Sequence, residues 1–128
     1  MMTSYFSKYR GRHGICIARY SPSGWRGRVY SALAPSQSLL RWYKFSWLGK
    51  KEREAEYKER YREETLNSLD PKVVYDRLSE NSVLLCYEKS GDFCHRRLVA
   101  EWFEKHLGVK VPEYVREPSK FEQIKMFR

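Results

Sequence analysis

Two short apolar runs separated by helical patterns constrain the fold of this chain more than any other feature. Residues 14–20 (GICIARY) and 82–87 (SVLLCY) are rich in β-branched and aliphatic side chains and are bounded by turn residues, a pattern typical of buried strands. An order of strand, helices, strand, helix and strand favours parallel pairing through right-handed crossovers. The sequence therefore predicts an α/β fold with a mostly parallel sheet of three or four strands flanked by helices.

Helix start signals divide the segment between these strands. Ser36 is a candidate N-cap for a short helix within residues 35–47, and Asp70 followed by Pro71 marks the start of another helix. Between them, residues 49–69 carry mixed charges and one stripe at helical spacing, which indicates a longer helix with a solvated face. The stripe consists of Ala55, Tyr57, Tyr61, Thr65 and Leu69.

The pattern after the second strand indicates one more helix. Residues 93–108 (FCHRRLVAEWFEKHLG) have apolar residues at helical spacing, with Ser90 or Asp92 as the candidate N-cap and Gly108 at the C-terminus. We expect His106 to lie on the apolar face of this helix.

The remaining segments complete the prediction. Residues 3–7 are a candidate strand, residues 21–28 a loop rich in Gly and Pro, and residues 109–115 a short strand. We expect a single domain that spans residues 1–128, with the tail of residues 118–128 docked on its body.

The positive charge of the chain is concentrated in its first third. The formal net charge is +9, and residues 1–49 contain eight Lys or Arg residues and no Asp or Glu. A segment of one sign attracts phosphates or nucleic acid over roughly 8 Å at physiological salt. The charge therefore predicts a polyanion partner, although a generally basic protein without a specific ligand would have the same composition.

The sequence does not favour a membrane, secreted or zinc-binding protein. The N-terminus lacks the apolar core of a signal peptide, and no run approaches the roughly 20 apolar residues of a membrane helix. The three cysteines are an odd number and include no Cys-x-x-Cys pair, so we expect neither a zinc site nor a disulfide framework. We predict a cytoplasmic protein with no metal, no cofactor and no membrane partner.

The junction between the second strand and the following helix combines the features of an anion site. The first N–H groups of a helix have no intrahelical partners, and the helix dipole makes that end positive. Gly91 allows the backbone to approach a ligand closely, and the guanidinium of Arg96 suits phosphate or carboxylate. The junction therefore predicts a site for a phosphate-type anion, without the spacing of a Walker loop.

Cys94 and His95 are the candidate catalytic residues of this junction. A thiol in the first turn of a helix, beside His and Arg, can have a lowered pKa and act as a nucleophile. The alternative is a buried Cys94 that packs the helix against the sheet. Cys86 and Cys16 are expected to be core residues of their own strands. His95 is either a general base or anion donor, or else a surface or capping side chain.

Charged residues at the ends of the two strands are candidate ligand-binding residues. Arg19 lies near the end of the first predicted strand, and Glu88 and Lys89 follow the second. If the strands are neighbours, these residues meet at the carboxyl edge of the sheet, where open α/β sheets bind ligands. The alternative is a salt bridge between Arg19 and Glu88, or a structural ion-pair network that includes Arg96.

The loop of residues 21–28 suggests a nucleic-acid contact. Trp25, Arg26 and Arg28 could combine base stacking with phosphate contacts. The alternative is an aromatic anchor, in which Trp25 packs on the core of the protein itself.

The stretch LLCYEKSGDFCHRRLVAEW resembles the signature of the domain-of-unknown-function 488 (DUF488) family. The stretches IARYSPSGW, LAPSQSLLRWYK and YKERYREE resemble the first strand and loop of that family, its Ala-Pro-Ser helix start and its tyrosine-containing helix. The resemblance covers about residues 14–115. It implies a small three-layer, Rossmann-like α/β domain and brings no established reaction.

The resemblance also implies which residues belong to the site. Carried over by position, these are Arg19, Glu88, Lys89, Cys94, His95 and Arg96. Lys44 matches a basic position after the helix that begins at Ala-Pro-Ser, and it is also expected to face the site. Some relatives have an Asp where this chain has Ala18, so a role of that carboxylate is missing here.

Three functions remain open on the sequence. The first is association with a nucleic acid or nucleotide through the anion site. The second is a small enzyme that acts on a phosphorylated or otherwise anionic molecule through Cys94 or His95. The third is a protein-interaction module in which the Cys-His-Arg network is purely structural.

Overall fold

Four parallel strands form one sheet in a computed structural model, which describes residues 1–89 and 93–115. The strands are β1 (Met2–Tyr5), β2 (Gly14–Cys16), β3 (Arg28–Val29) and β4 (Val83–Cys86), in the spatial order β1-β4-β2-β3. The helices of the described chain are α1 (Gln37–Phe45), α2 (Lys50–Glu64), α3 (Pro71–Leu78) and α4 (His95–Leu107). The predicted small, Rossmann-like α/β domain is thereby confirmed.

Strand β4 lies at the centre of the sheet, between β1 and β2, and all of its residues are buried. An unbroken apolar run suits this place, because both faces of a central parallel strand are covered. Ile15 pairs with Leu84, and Cys16 pairs with Leu85. The carboxyl ends of β2 and β4 therefore lie side by side, which is the arrangement that a shared site requires.

Three of the predicted helix caps are confirmed: Ser36, Asp70 and Gly108. The side chain of Ser36 accepts a hydrogen bond from the N–H of Leu39 at 3.1 Å, and Asp70 accepts one from the N–H of Lys72 at 2.9 Å. Each cap supplies an acceptor for an N–H group that has no partner within the helix. Gly108 ends α4 in the left-handed region, with φ of 67°, where a glycine has no steric penalty.

Two predicted strand boundaries are wrong. The strand predicted over residues 14–20 is β2, and it ends at Cys16 rather than at Tyr20. Among the described residues, one further backbone hydrogen bond follows it, from the N–H of Ile17 to the C=O of Leu85 (3.1 Å). Arg28 was expected in a loop but starts the edge strand β3. The chain beyond β2 is therefore not part of the ladder and lines a site instead.

Two features of the helices also differ from the prediction. The helix expected over residues 49–69 ends at Glu64, and a short 3-10 turn follows, in which Leu66 is buried in the core. His106 is exposed rather than part of the apolar face of α4. Its ring centroid lies 6.3 Å from that of Trp102, at the margin of the buried stripe.

The strand predicted over residues 109–115 is reduced to one isolated bridge, between Thr3 and Glu113. Pro112 has no N–H group with which to extend a ladder, which accounts for the short pairing. The tail of residues 118–128, predicted to dock, lies outside the described residues. No helix among the described residues is long and apolar enough to cross a membrane.

A small apolar cluster at the carboxyl ends of β2 and β4 is separate from the main core. It consists of Cys16, Ala18, Cys86 and Cys94, with Phe6 and Trp25 packed against it. The main core is larger and includes Ile15, Ile17, Leu84 and residues of all four helices. The small cluster supports the chain where it leaves the two strands, and so it positions the candidate site.

Candidate functional site

A pocket of about 240 Å³ opens at the carboxyl ends of β2 and β4. Residues that follow the two strands, aromatic side chains of α1 and α2, and the start of α4 form its walls. The lining residues are Ala18, Arg19, Tyr20, Pro35, Leu40, Tyr43, Tyr57, Cys86, Tyr87, Glu88, Phe93, Cys94 and His95. Because open parallel sheets bind ligands at this edge, the position marks the pocket as the candidate site.

The pocket brings together four of the residues predicted from the sequence. Those four are Arg19, Glu88, Cys94 and His95. The other predicted residues do not line it: Arg96, Lys89, Lys44, Trp25, Arg26 and Arg28. The expected meeting of two strand ends is thus present, whereas the functions assigned to these side chains stay predictions.

His95 is buried, and its hydrogen bond determines its tautomer. Nε2 lies 2.8 Å from the carbonyl oxygen of Ile17. A carbonyl oxygen can only accept, so Nε2 carries the hydrogen and Nδ1 has a lone pair. Nδ1 lies 3.8 Å from Sγ of Cys94. Burial lowers the pKa of His95 to about 4, so the neutral ring is the form present at neutral pH.

A disulfide joins Cys86, the last residue of β4, to Cys94, the N-cap of α4. This pairing differs from the expectation that the chain has no disulfide framework, and it joins the end of β4 to the start of α4. The predicted N-cap at Ser90 or Asp92 is wrong, since Cys94 occupies the N-cap position of α4, and its side chain makes no capping hydrogen bond. Nucleophilic chemistry by Cys94 would therefore require the reduced form.

Arg96 lies beneath the pocket rather than in its wall. Its side chain is 1% exposed and pairs with Glu113 through Nε (3.1 Å) and Nη2 (2.7 Å). Nη1 donates to the carbonyl oxygen of Glu88 at 2.6 Å and to Sγ of Cys86 at 3.0 Å. These contacts tie α4 to the end of β4. The predicted ligand contact of Arg96 stays untested, and its ion-pair partner Glu113 was not identified from the sequence.

An aromatic wall forms one side of the pocket. The ring centroid of Phe93 lies 5.6 Å from that of Tyr43 and 5.0 Å from that of Tyr57. Burial and then the charge of Glu88 raise the pKa of Tyr57, so its hydroxyl stays protonated and can donate a hydrogen bond. The sequence indicates only a place on a helical stripe for Tyr57; the signal for its part in the site was the cluster of aromatic residues in neighbouring helices.

Two charged side chains of the pocket have no ion-pair partner within the described residues. Arg19 and Glu88 are both exposed and both line the pocket, and no salt bridge joins them there. The alternative prediction of a salt bridge between them is therefore wrong for the described structure. Within residues 1–89 and 93–115, neither charge is therefore neutralised by an ion pair.

The other predicted contacts lie on the surface around the pocket. Trp25 packs with its ring centroid 5.3 Å from that of Phe6, and its indole N–H donates to the carbonyl oxygen of Arg28 at 3.1 Å. The guanidinium of Arg28 donates to carbonyl oxygens at the end of α3. Arg26 and Lys44 are exposed. Trp25 thus serves as an anchor for its loop, and its predicted contact with nucleic acid is not tested.

A comparison with known protein families identifies the family of this chain. Residues 5–107 match the family model DUF488-N3a, described as the active DUF488-N3 subclade. No curated protein and no solved structure matches the chain. The matched region includes both strand ends of the pocket and the whole of α4. The chain therefore belongs to the DUF488 family, in its DUF488-N3a subclade.

Proposed function

We propose that the pocket binds a small phosphorylated molecule that carries a planar ring, of the nucleotide class. The observation that carries the proposal is the combination of an aromatic wall with a cation that has no ion-pair partner among the described residues. The rings of Tyr43, Tyr57 and Phe93 offer stacking surfaces, and the guanidinium of Arg19 suits a phosphate.

The size of the pocket supports a mononucleotide rather than a longer nucleic acid. Its volume of about 240 Å³ is just below the roughly 300–1,000 Å³ typical of small-molecule pockets, so it could enclose at most one nucleotide. A duplex or an extended strand would contact only the surface around it. The acid-free first third of the chain, with its eight Lys or Arg residues, would attract the phosphate from a distance.

The polar groups of the pocket can supply specificity. The carboxylate of Glu88 can accept hydrogen bonds from ribose hydroxyls or from an exocyclic amine, and the hydroxyl of Tyr57 can donate one. The family description calls the subclade active, which favours conversion of the bound molecule over storage alone. Among the lining groups, His95 and, once its disulfide is reduced, Cys94 have basic or nucleophilic atoms that could take part in such a conversion.

Calorimetric titration with adenosine 5′-monophosphate and with adenosine tests this function. Arg19→Ala should weaken binding of the monophosphate about 10-fold to 100-fold, because a charge-assisted hydrogen bond contributes roughly 1.5–3 kcal/mol. Adenosine binding should not change, since adenosine has no phosphate. Phe93→Ala should weaken binding of both molecules. The matched control is Arg41→Ala, which removes an equal charge from an exposed site outside the pocket.

Guanosine, cytidine and uridine monophosphates belong in the same titration series. The proposal fails if none of the four monophosphates binds at low salt. It also fails if Arg19→Ala and Arg41→Ala weaken binding equally, because that result would indicate a general surface attraction. Binding of oligonucleotides alone would favour the surface rather than the pocket.

A further inference from the structure

Three side chains of ligand type meet at the floor of the pocket: Cys86, Cys94 and His95. All three are buried, and their ligand atoms lie within 4.8 Å of one another. Thiolate and imidazole are the ligands that Zn²⁺ prefers in proteins. The grouping is hidden in the sequence, because two of the residues are adjacent and the third lies eight positions before Cys94.

His95 is held in the form that a metal ion requires. Because its Nε2–H donates to the carbonyl oxygen of Ile17, Nδ1 keeps its lone pair. Metal-bound histidines commonly have this second hydrogen bond, which orients the ring. Nδ1 lies 3.8 Å from Sγ of Cys94, close to the roughly 3.6 Å between sulfur and nitrogen ligands of a tetrahedral zinc ion.

The charges around Cys86 also suit a metal–thiolate centre. Arg96 donates a hydrogen bond from Nη1 to Sγ of Cys86 at 3.0 Å, a contact that favours the thiolate. The positive charge of Arg96 is balanced by Glu113 at 2.7 Å. Two thiolates and one divalent cation would then sum to zero, so the buried site would carry no uncompensated charge.

The disulfide form has no thiolate to offer, so metal binding requires reduction. One dithiothreitol, or two glutathione molecules, would supply two electrons and two protons, giving two protein thiols and the disulfide of the reductant. A divalent ion would then displace the two thiol protons. The Cα atoms of Cys86 and Cys94 are 7.5 Å apart, wider than the roughly 4.4–6.8 Å usual across a direct disulfide. A zinc ion holds two sulfur ligands about 3.8 Å apart, whereas a disulfide holds them about 2.0 Å apart. The wider separation of the Cα atoms therefore suits a zinc ion between the two sulfurs.

We propose that the reduced protein binds one Zn²⁺, or a divalent ion of similar chemistry, through Sγ of Cys86, Sγ of Cys94 and Nδ1 of His95. Because all three residues line the pocket, the fourth coordination position faces it. Three protein ligands with one open position are typical of catalytic zinc, whereas structural zinc has four protein ligands. The ion would place a Lewis acid beside the bound molecule. The site itself does not depend on whether that molecule is a nucleotide.

Titration of the reduced protein with Co²⁺ in the absence of oxygen tests the site directly, because cobalt bound by thiolates in a tetrahedral site has distinctive absorption bands. We expect one Co²⁺ to bind per chain and to give a thiolate-to-cobalt charge-transfer band in the near ultraviolet. Added Zn²⁺ should displace the bound Co²⁺ and abolish the band. The same chain kept in the disulfide form should give neither signal.

Single substitutions identify which side chains bind the metal ion. Cys86→Ser, Cys94→Ser and His95→Ala should each weaken Co²⁺ binding about 100-fold or more, as removal of a ligand exceeds the 10-fold to 100-fold effect of losing a supporting hydrogen bond. The matched control is Cys16→Ala, which removes the buried free thiol that is not among the three ligands. It should keep the charge-transfer band.

The proposal is overturned if the reduced wild-type protein shows no charge-transfer band with Co²⁺, or if the band survives in both Cys86→Ser and Cys94→Ser. Should the variants fail to fold, X-ray absorption of zinc bound to the wild-type chain decides. Two sulfur ligands at about 2.3 Å and a histidine nitrogen at about 2.0–2.1 Å would support the site. A shell of oxygen and nitrogen alone would overturn it. Neither measurement uses a nucleotide, so the result is independent of the proposed ligand.

Discussion

Replacing Glu113 with glutamine should destabilise the protein strongly, because it removes the charge partner of a buried cation. Arg96 is 1% exposed and Glu113 is 22% exposed at their side chains, and two hydrogen bonds of 2.7 and 3.1 Å join them. Leaving a fully buried charge without its partner costs about 3–5 kcal/mol. Water that reaches Glu113, and the one carbonyl oxygen that glutamine keeps, should reduce this loss. We therefore expect the free energy of unfolding to fall by about 2–3 kcal/mol.

Urea denaturation under reducing conditions measures this change in the free energy of unfolding, and the slope with urea shows whether unfolding stays two-state. For a chain of this length the loss corresponds to a fall in Tm of roughly 6–15 °C. The control is Glu101→Gln, since Glu101 lies 4.0 Å from Arg62 and both side chains are more than half exposed. That exposed pair should contribute less than about 0.5 kcal/mol. If Glu113→Gln lies within about 0.5 kcal/mol of wild type, the ion pair is not what stabilises the buried arginine.

Three further substitutions test local structure, each by urea denaturation. Tyr61→Phe removes the hydrogen bond from the buried phenol to the carbonyl oxygen of Leu33 (2.6 Å) and should cost about 1–2 kcal/mol; a neutral result would mean that water replaces the donor. Asp70→Ala removes the N-cap of α3 and should cost about 1 kcal/mol, whereas Asp70→Asn should retain most of the stability. Gly108→Ala places a side chain at φ of 67° and should cost about 1 kcal/mol; an unchanged stability would contradict the left-handed cap.

The parts of the fold that sequence predicts best are those determined by local chemistry. The run from Val83 to Cys86 is apolar at every position, a pattern typical of a strand that is buried on both faces of a parallel sheet. The caps at Ser36 and Asp70 follow from side chains that bond to backbone within the same turn. Such interactions span a few residues, so their signals survive in a single sequence.

The parts that sequence did not predict depend on contacts between distant segments. Glu113 finds Arg96 only because the segment after α4 runs beside β1, where Thr3 bridges to Glu113. The aromatic wall likewise requires α1 and α2 to pack together with the chain just before α4, so that Tyr43 and Phe93 meet. No periodicity or spacing in the sequence encodes these meetings, because each depends on the topology of the whole domain.

In the first turn of α4, residues that are adjacent in the sequence lie in different surroundings. Consecutive helical residues point about 100° apart, so adjacent side chains face different surroundings. His95 lines the pocket, whereas the next residue, Arg96, turns beneath it to Glu113. A substitution of Arg96 would therefore lower ligand or metal binding through the fold even if the guanidinium never touches a ligand. Glu113→Gln separates the two causes, since it disturbs the same ion pair and leaves the guanidinium in place. Equal losses of binding and stability in both variants would make Arg96 a structural residue, and a greater loss of binding in an Arg96 variant would make it a ligand contact.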